Sequence, residues 1–252
     1  MAPEFSLEDD LALAERAARE AGELLLARFG GPVEGLETKS SATDPVSDAD
    51  REAEAAISAL IARERPDDAI VGEEGINEGG TTGRRWVVDP LDGTVNFLFG
   101  YPAWAVSVAL EDESGPLVGV VADPARGESF RAVRGGGCEL NGRPAHVRDP
   151  APLERALVAT GFAYDPRRRS EQARLLAVVL PRVRDVRRAG AAALDLAWVA
   201  AGRLDGYYER GLNEWDWGAA LRELPGEPFG IVAAAPGLLD PLYELVAARA
   251  NG

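Results

Sequence analysis

Histidine and cysteine are almost absent from this 252-residue chain, which holds one of each, His146 and Cys138. Protein zinc sites draw on several Cys or His ligands, so zinc is disfavoured as a resident ion. One cysteine closes no intrachain disulfide and suits a reducing compartment, here the cytoplasm. Set in a Gly-rich stretch, Cys138 reads as structural. Long apolar runs are missing too, so no bilayer-spanning segment is expected. Residues 1–10 are acidic and lack a basic region followed by an apolar run, which argues against a secretory signal. Positive charge is scarce: 27 Lys+Arg face 42 Asp+Glu, a formal net charge of −15. Such a surface repels nucleic acid and anionic membranes, and neither is expected as a partner. It also repels a phosphorylated metabolite unless local cations, such as bound metal ions, offset the field.

The chain does hold ample core material. At 46% hydrophobic residues it can bury a large interior, as one domain over 1–252 built from two fused halves, about 1–150 and 151–252. Leu7, Leu11, Ala14, Ala18, Ala21, Leu25 and Phe29 recur at helical spacing and predict a first helix that Gly30-Gly31-Pro32 ends. Ser47-Asp48-Ala49-Asp50 fits a capping box, and Ile57, Leu60 and Ile61 continue a second helix as far as Pro66. Short apolar runs at 69–72, 86–88, 103–110, 117–122 and 129–133 predict a first sheet. Beyond them the periods alternate: strands at 157–159, 183–187, 204–209 and 231–235, helices at 171–180, 191–201 and 238–248. Mixed elements without a strict βαβ repeat predict a layered α/β or α+β sandwich.

Chemistry concentrates after the buried-strand signature Trp86-Val87-Val88, which leads into Asp89-Pro90-Leu91-Asp92-Gly93-Thr94. Pro90 stiffens the turn and so fixes Asp89 relative to Asp92, while Gly93 lets the backbone approach a ligand. Thr94 and Val95 open a short helix whose free amides suit a phosphate. Carboxylate-rich, histidine-free surroundings favour hard cations, Mg²⁺ above all. Glu73-Glu74 follows another apolar run, and Asp216 sits between Trp215 and Trp217. Each of these taken singly has an ordinary structural reading, as a solvated loop, a turn or a helix cap. Their joint occurrence in this order is what points to a site.

Gly72-Glu73-Glu74, the run from Trp86 to Phe97, and Trp215-Asp216 together closely resemble the signatures of the inositol monophosphatase family. The resemblance extends to Lys39-Ser40-Ser41 with Asp44, to Ser47 through Asp50, to Thr160-Gly161-Phe162, and to Gly190 through Glu209. It implies an αβαβα sandwich, a homodimer, lithium sensitivity and two or three Mg²⁺ ions per site. By the resemblance, Glu73, Asp89 and the Leu91 carbonyl would hold one ion. Asp89, Asp92 and Asp216 would hold a second, with a third bound largely through water near Glu73. The phosphate of a small phosphorylated metabolite would rest on the metals and on the amides of Gly93 and Thr94. Thr94, linked to Asp50, would align and deprotonate the attacking water, and Asp216 would serve the leaving alkoxide. Gly190, Ala191, Ala192 and Glu209 would face the alcohol part of the substrate. Inositol monophosphate is the first expectation; histidinol phosphate, fructose 1,6-bisphosphate and 3′-phosphoadenosine phosphates are the alternatives.

One departure and two rivals complete the reading. Relatives carry a longer helix, a turn and an extra strand pair after the Trp-Asp element. The interval from Leu221 to Gly230 is too short for that, so an edge of the second sheet should be missing or replaced. A haloacid-dehalogenase-like phosphatase has an Asp-x-Asp-Gly-Thr element, whereas here Pro90 and Leu91 separate the acids. A non-catalytic scaffold would be free to lose ligands, yet Glu73, Asp89, Asp92, Thr94 and Asp216 are all retained.

Overall fold

The computed structural model describes residues 5–32, 34–38, 45–149, 152–213, 215, 222–224 and 230–247. They form two compact units. One comprises the described residues up to Pro144 with Trp215; the other comprises Ala145–Asn213 with the described residues beyond 219.

In the first unit, helix α1 (Leu7–Arg28) starts at a reciprocal cap, Ser6 Oγ accepting from the Asp9 amide and the Asp9 carboxylate from the Ser6 amide, both at 3.1 Å. Its buried stripe is rich in alanine (Ala14, Ala17, Ala18, Ala21), which brings the helix close to its neighbours. At Gly22 a methyl group would lie 2.8 Å from Pro124. Strands β1 (Glu37–Thr38) and β2 (Pro45–Val46) pair antiparallel ahead of helix α2 (Asp48–Glu64). There follow β3 (Ala69–Gly72), β4 (Asn77–Glu78), β5 (Arg85–Asp92), the five-residue helix α3 (Thr94–Leu98), and β6 (Ala105–Asp112). Strands β7 (Gly115–Asp123), β8 (Glu128–Val133), β9 (Gly137–Leu140) and β10 (Arg143–Ala145) complete an eight-stranded sheet in the order β10-β9-β8-β7-β6-β5-β3-β4.

Strands β3 and β5 run parallel, and β5 is antiparallel to β6. Helix α1 lies against β6 and β7, and α2 against β5. Every residue of β5 from Trp86 to Asp92 is buried, which explains why its first half reads as an unbroken apolar run. Charges are buried beside this core as well. Asp10 is fully enclosed and accepts from Arg65 Nε at 3.0 Å and from Arg84 Nη2. Asp68 accepts from Trp86 Nε1 at 3.0 Å and Thr82 Oγ1 at 2.6 Å.

The second unit contains β11 (Leu157–Thr160), α4 (Pro166–Val179), β12 (Asp185–Arg187), α5 (Ala192–Ala200), β13 (Gly206–Arg210), β14 (Arg222–Leu224), β15 (Gly230–Ala234) and α6 (Leu239–Ala247). Its five-stranded sheet has the order β12-β11-β13-β15-β14, with β11 parallel to β12 and β13. Val158, Tyr208 and Val232 pack on Val179 of α4 and Leu242 and Val246 of α6. The intervening Ala159, Tyr207 and Ile231 are also buried and face the other way. That is the side of α5, which lies against β11, β13 and β15 and contributes nothing to the first cluster. A sheet covered on one face in the first unit and on both in the second supplies the layers that the αβαβα expectation names.

The differences from the sequence reading are local. Strand β5 runs through Asp89 to Asp92 rather than stopping at Val88, because an irregularity between Asp89 and Asp92 lets Asp92 pair with Ala105 of β6. Helix α4 starts at Pro166, five residues before the apolar stripe that predicted it. Asp165 caps it by accepting from the amides of Arg167 (2.6 Å) and Arg168 (3.2 Å). Strands β4, β9, β10 and β14 are too short or too polar to carry a period. In the shortened interval, β14 forms the sheet edge on β15, and residues 221 and 225–229 lie outside the described residues.

Because the buried Asp10 pairs with two guanidinium groups, Asp10→Ala leaves Arg65 without this carboxylate and Arg84 with only the more distant Asp68, 3.9 Å away. It should cost about 3–5 kcal/mol of folding free energy. Reversible urea unfolding measures this, and a loss below about 1 kcal/mol would contradict the assigned role.

Candidate active site

The site is built on the end of β5. Asp89 and Asp92 are 1% and 7% exposed, and Leu91 between them is 1% exposed. Asp89 Oδ1 accepts from the Leu91 amide at 3.0 Å, a turn that Pro90 stiffens. Gly93 then takes φ 92° and ψ 36°, in the left-handed region, and caps α3. A side chain there would be strained, which is the conformational reason for glycine. Helix α3 is anchored by Phe97, whose ring meets Trp104 edge-on at 5.2 Å and Phe29 at 5.6 Å. Asn96 Nδ2 donates to the Ala103 carbonyl at 2.6 Å and closes the loop behind it.

Glu73 reaches the same place along the neighbouring strand. β3 is parallel to β5, Gly72 sits opposite Val88, and the Glu73 amide donates to the Val88 carbonyl at 3.1 Å. Glu73 and Asp89 therefore follow adjacent positions at two parallel strand ends, where open α/β sheets place their sites. From α2, Asp50 completes the arrangement. Its Oδ2 accepts from Ser47 N at 2.9 Å and Ser47 Oγ at 2.5 Å, so the residue that caps the helix is the one that reaches Thr94. Thr94 Oγ1 lies 3.2 Å from Asp50 Oδ1 and 3.1 Å from the Leu91 carbonyl; its single proton serves one acceptor at a time. Asp50 is fully buried and Thr94 is 6% exposed.

Several positioning contacts carry no signature in the sequence. Glu54, one turn after Asp50 and 7% exposed, accepts from the Glu74 amide at 2.9 Å and holds the loop that carries Glu73. A methyl group at Gly72 would lie 2.1 Å from Glu54 Oε1, so the bare backbone there is required by the approach of the carboxylate. Ser107, opposite Asp89 on β6, donates to the Trp215 carbonyl at 3.4 Å and fixes the residue that precedes Asp216. The one available signal for Glu54 is its place on the apolar face of α2.

Of the residues expected to hold metal, Glu73 directly follows β3, and Asp89, Leu91 and Asp92 lie in the last four residues of β5; Asp216 lies outside the described residues, as do Lys39, Ser40, Ser41 and Asp44. Among the described residues no three His, Cys, Asp or Glu side chains gather closely enough to hold an ion by themselves. The donor set is nonetheless all oxygen, three carboxylates and a main-chain carbonyl, which is the chemistry of a hard cation that keeps part of its water shell. An open cavity of about 220 Å³ at the end of α1, lined by Arg28, Gly31, Glu34, Ser47, Ala49 and Phe97 among others, is not lined by Glu73, Asp89 or Asp92.

The residues expected to contact the alcohol lie in the second unit. Gly190 is at φ 91°, and Ala191 caps α5 with Ala192 as its first residue. Glu209 is half-buried on β13 and accepts from the Tyr207 hydroxyl. Cys138 is half-buried; burial first, and Glu139 beside it second, push its thiol above the usual range, in keeping with a structural thiol. No helix among the described residues is long and apolar enough to cross a membrane.

Comparison with known proteins gives a concordant result. A model of the inositol monophosphatase family matches residues 6–222. The inositol-1-monophosphatase SuhB of Mycobacterium tuberculosis is 42% identical over 98% of this chain and 94% of its own length. The Nus factor SuhB of Haemophilus influenzae is 39% identical over 86% of this chain and 83% of its own. Among solved structures, the extragenic suppressor protein suhB of Bartonella henselae superposes with a TM-score of 0.87 at 34% identity, covering 94% of this chain and 98% of the other.

Asp50 gathers Ser47 and Thr94 in one buried cluster, so Asp50→Ala leaves several donors without their acceptor. It should lower stability by about 1–3 kcal/mol, and Thr94→Val should cost much less once Asp50 is gone than in the wild-type background. Urea unfolding of the two single variants and the double variant measures the coupling; additive losses would contradict it.

Proposed function

The chain belongs to the inositol monophosphatase family, and from that premise we propose that it is a divalent-metal-dependent phosphatase hydrolysing a small phosphate monoester, inositol monophosphate before any other. The observation that carries this reading is the pair of buried carboxylates, Asp89 and Asp92, at the end of β5 beside Glu73 and the Thr94–Asp50 link.

Glu73, Asp89 and the Leu91 carbonyl would hold one ion, and Asp89, Asp92 and Asp216 another, with Mg²⁺ the proposed species and a third ion near Glu73. Bound there, the cations would supply positive charge to the phosphate oxygens and lower the proton affinity of water. The remaining work falls to the protein. The Gly93 and Thr94 amides would orient the phosphate. By donating to Asp50, Thr94 Oγ1 keeps its lone pairs for a proton from the attacking water, and Asp50, fixed by Ser47, is the acceptor in line behind it. Asp216 would stand on the leaving-group side. The Gly190–Ala192 backbone and the Glu209 carboxylate would receive the hydroxyls of the alcohol. A homodimer in the cytoplasm belongs to the same proposal.

A relative named Nus factor SuhB keeps a non-catalytic role in view. Retention of Glu73, Asp89, Asp92 and Thr94 favours catalysis, and a phosphate-release assay separates the two readings. With inositol monophosphate, histidinol phosphate, fructose 1,6-bisphosphate and 3′-phosphoadenosine phosphate as substrates, release should require Mg²⁺ and stop in excess chelator. Asp92→Asn keeps the size and loses the charge, so it should nearly abolish turnover. Thr94→Ala should cost roughly 10–100-fold. Full turnover in chelator, or near-normal kcat for Asp92→Asn in saturating Mg²⁺, would overturn the proposal.

Glu209→Ala tests the substrate class separately. A charge-assisted hydrogen bond to a hydroxyl-rich alcohol corresponds to roughly 10–150-fold in kcat/KM, against a much smaller loss for an aryl phosphate. Equal losses on the two substrates would remove the polyol phosphate from first place.

A further inference from the structure

On β13, Tyr207 and Glu209 are two residues apart and so project to the same side of the strand. The Tyr207 side chain is fully buried, and its hydroxyl donates to Glu209 Oε2. From the neighbouring strand the carboxylate is closed in by bare backbone: a methyl group at Gly161 would lie 2.0 Å from Glu209 Oε2 and 2.2 Å from Oε1. The two strands are themselves tied at this level, Ala159 sitting opposite Tyr207 and Thr160 Oγ1 donating to the Tyr208 carbonyl at 2.8 Å. The Glu209 carboxylate is thus held by a phenol it accepts from, in the space that the missing side chain of Gly161 leaves for it.

We propose that Tyr207 and Gly161 are specificity-positioning residues: they fix the Glu209 carboxylate in the orientation that receives the hydroxyls of a polyol phosphate. This rests on the reading of Glu209 given above and adds to it which groups set its geometry. An ionised carboxylate has more lone-pair sites than the one the phenol uses, so the hydrogen bond that orients it does not exhaust its capacity to accept from a hydroxyl. Fixing that acceptor before binding removes the rotamer entropy that a mobile glutamate would lose with each substrate captured. Neither residue is among those assigned to the phosphate, so the effect expected of them is discrimination between alcohols.

The test uses the ratio of kcat/KM for inositol monophosphate to kcat/KM for an aryl phosphate, measured with the full-length protein in Mg²⁺. Tyr207→Phe deletes one oxygen from an otherwise unchanged buried ring and should lower the ratio roughly 3–10-fold, mainly through KM. Gly161→Ala places a methyl group where the carboxylate sits and should lower it in the same sense, a check independent of the aromatic core. In a Glu209→Ala background Tyr207→Phe should lower the ratio no further, because nothing is left to orient. Three outcomes would overturn the proposal. A selective loss for Glu209→Ala with an unchanged ratio for Tyr207→Phe and Gly161→Ala rejects positioning while leaving Glu209 as the alcohol acceptor. An equal effect of Tyr207→Phe with and without Glu209 assigns the phenol to the fold alone. No selective loss for Glu209→Ala rejects both readings together.

Discussion

Carboxylates taken out of water at the end of a buried strand are the constraint on which the rest of this molecule depends. An ionised carboxylate loses several kcal/mol of hydration when it enters a protein interior, and it stays there only if donors or cations replace the water. Asp89 and Asp92 are in that position, separated by a proline and a buried leucine. Part of the replacement is local, as in the Leu91 amide turned back on Asp89. The surrounding architecture fits the same need. Parallel pairing of β3 with β5 brings Glu73 alongside, the left-handed Gly93 turns the chain into α3, and the Phe29–Phe97–Trp104 cluster holds that short helix in place. A divalent cation is the species whose charge and oxygen preference answer three carboxylates at once.

The two kinds of buried charge in the first unit differ in consequence. Asp10 meets arginines, Arg65 and Arg84, so its charge is balanced within the protein and serves to join α1 to the end of α2 and the start of β5. At the end of β5, Asp89 accepts from the Leu91 amide, and Asp50 accepts from Ser47 and from the Thr94 hydroxyl. On a chain of net charge −15, a cation bound there would reverse the local potential and so favour a phosphate ester.

How much of this could be read in the sequence follows the range of the interaction concerned. The Ser47 cap, the Asp89–Asp92 turn and the opening of α3 at Thr94 are decided within a few residues, and the spacing of side chains reveals them. Membership of the family was legible for the same reason, because its signatures are short and their order is rare. By contrast, the Glu54 contact to Glu74, the Ser107 contact to Trp215 and the near approach of Gly161 to Glu209 join residues 20 to 108 positions apart or from separate strands. No local pattern encodes them. Strands β4, β9, β10 and β14 escaped for a different reason: they are two to four residues long, below the length at which a two-residue period is distinguishable from a turn.

The central proposal is that Glu73, Asp89 and Asp92, at the ends of β3 and β5, help bind a divalent cation, and it is tested most directly by calorimetric titration of Mg²⁺ into chelator-treated, dialysed protein. Saturable binding in the wild type that is weakened at least tenfold or lost in Asp89→Asn, with an unchanged thermal unfolding profile of the cation-free variant, is the result expected. Indistinguishable titrations of the two proteins, or no saturable binding by the wild type, would contradict it.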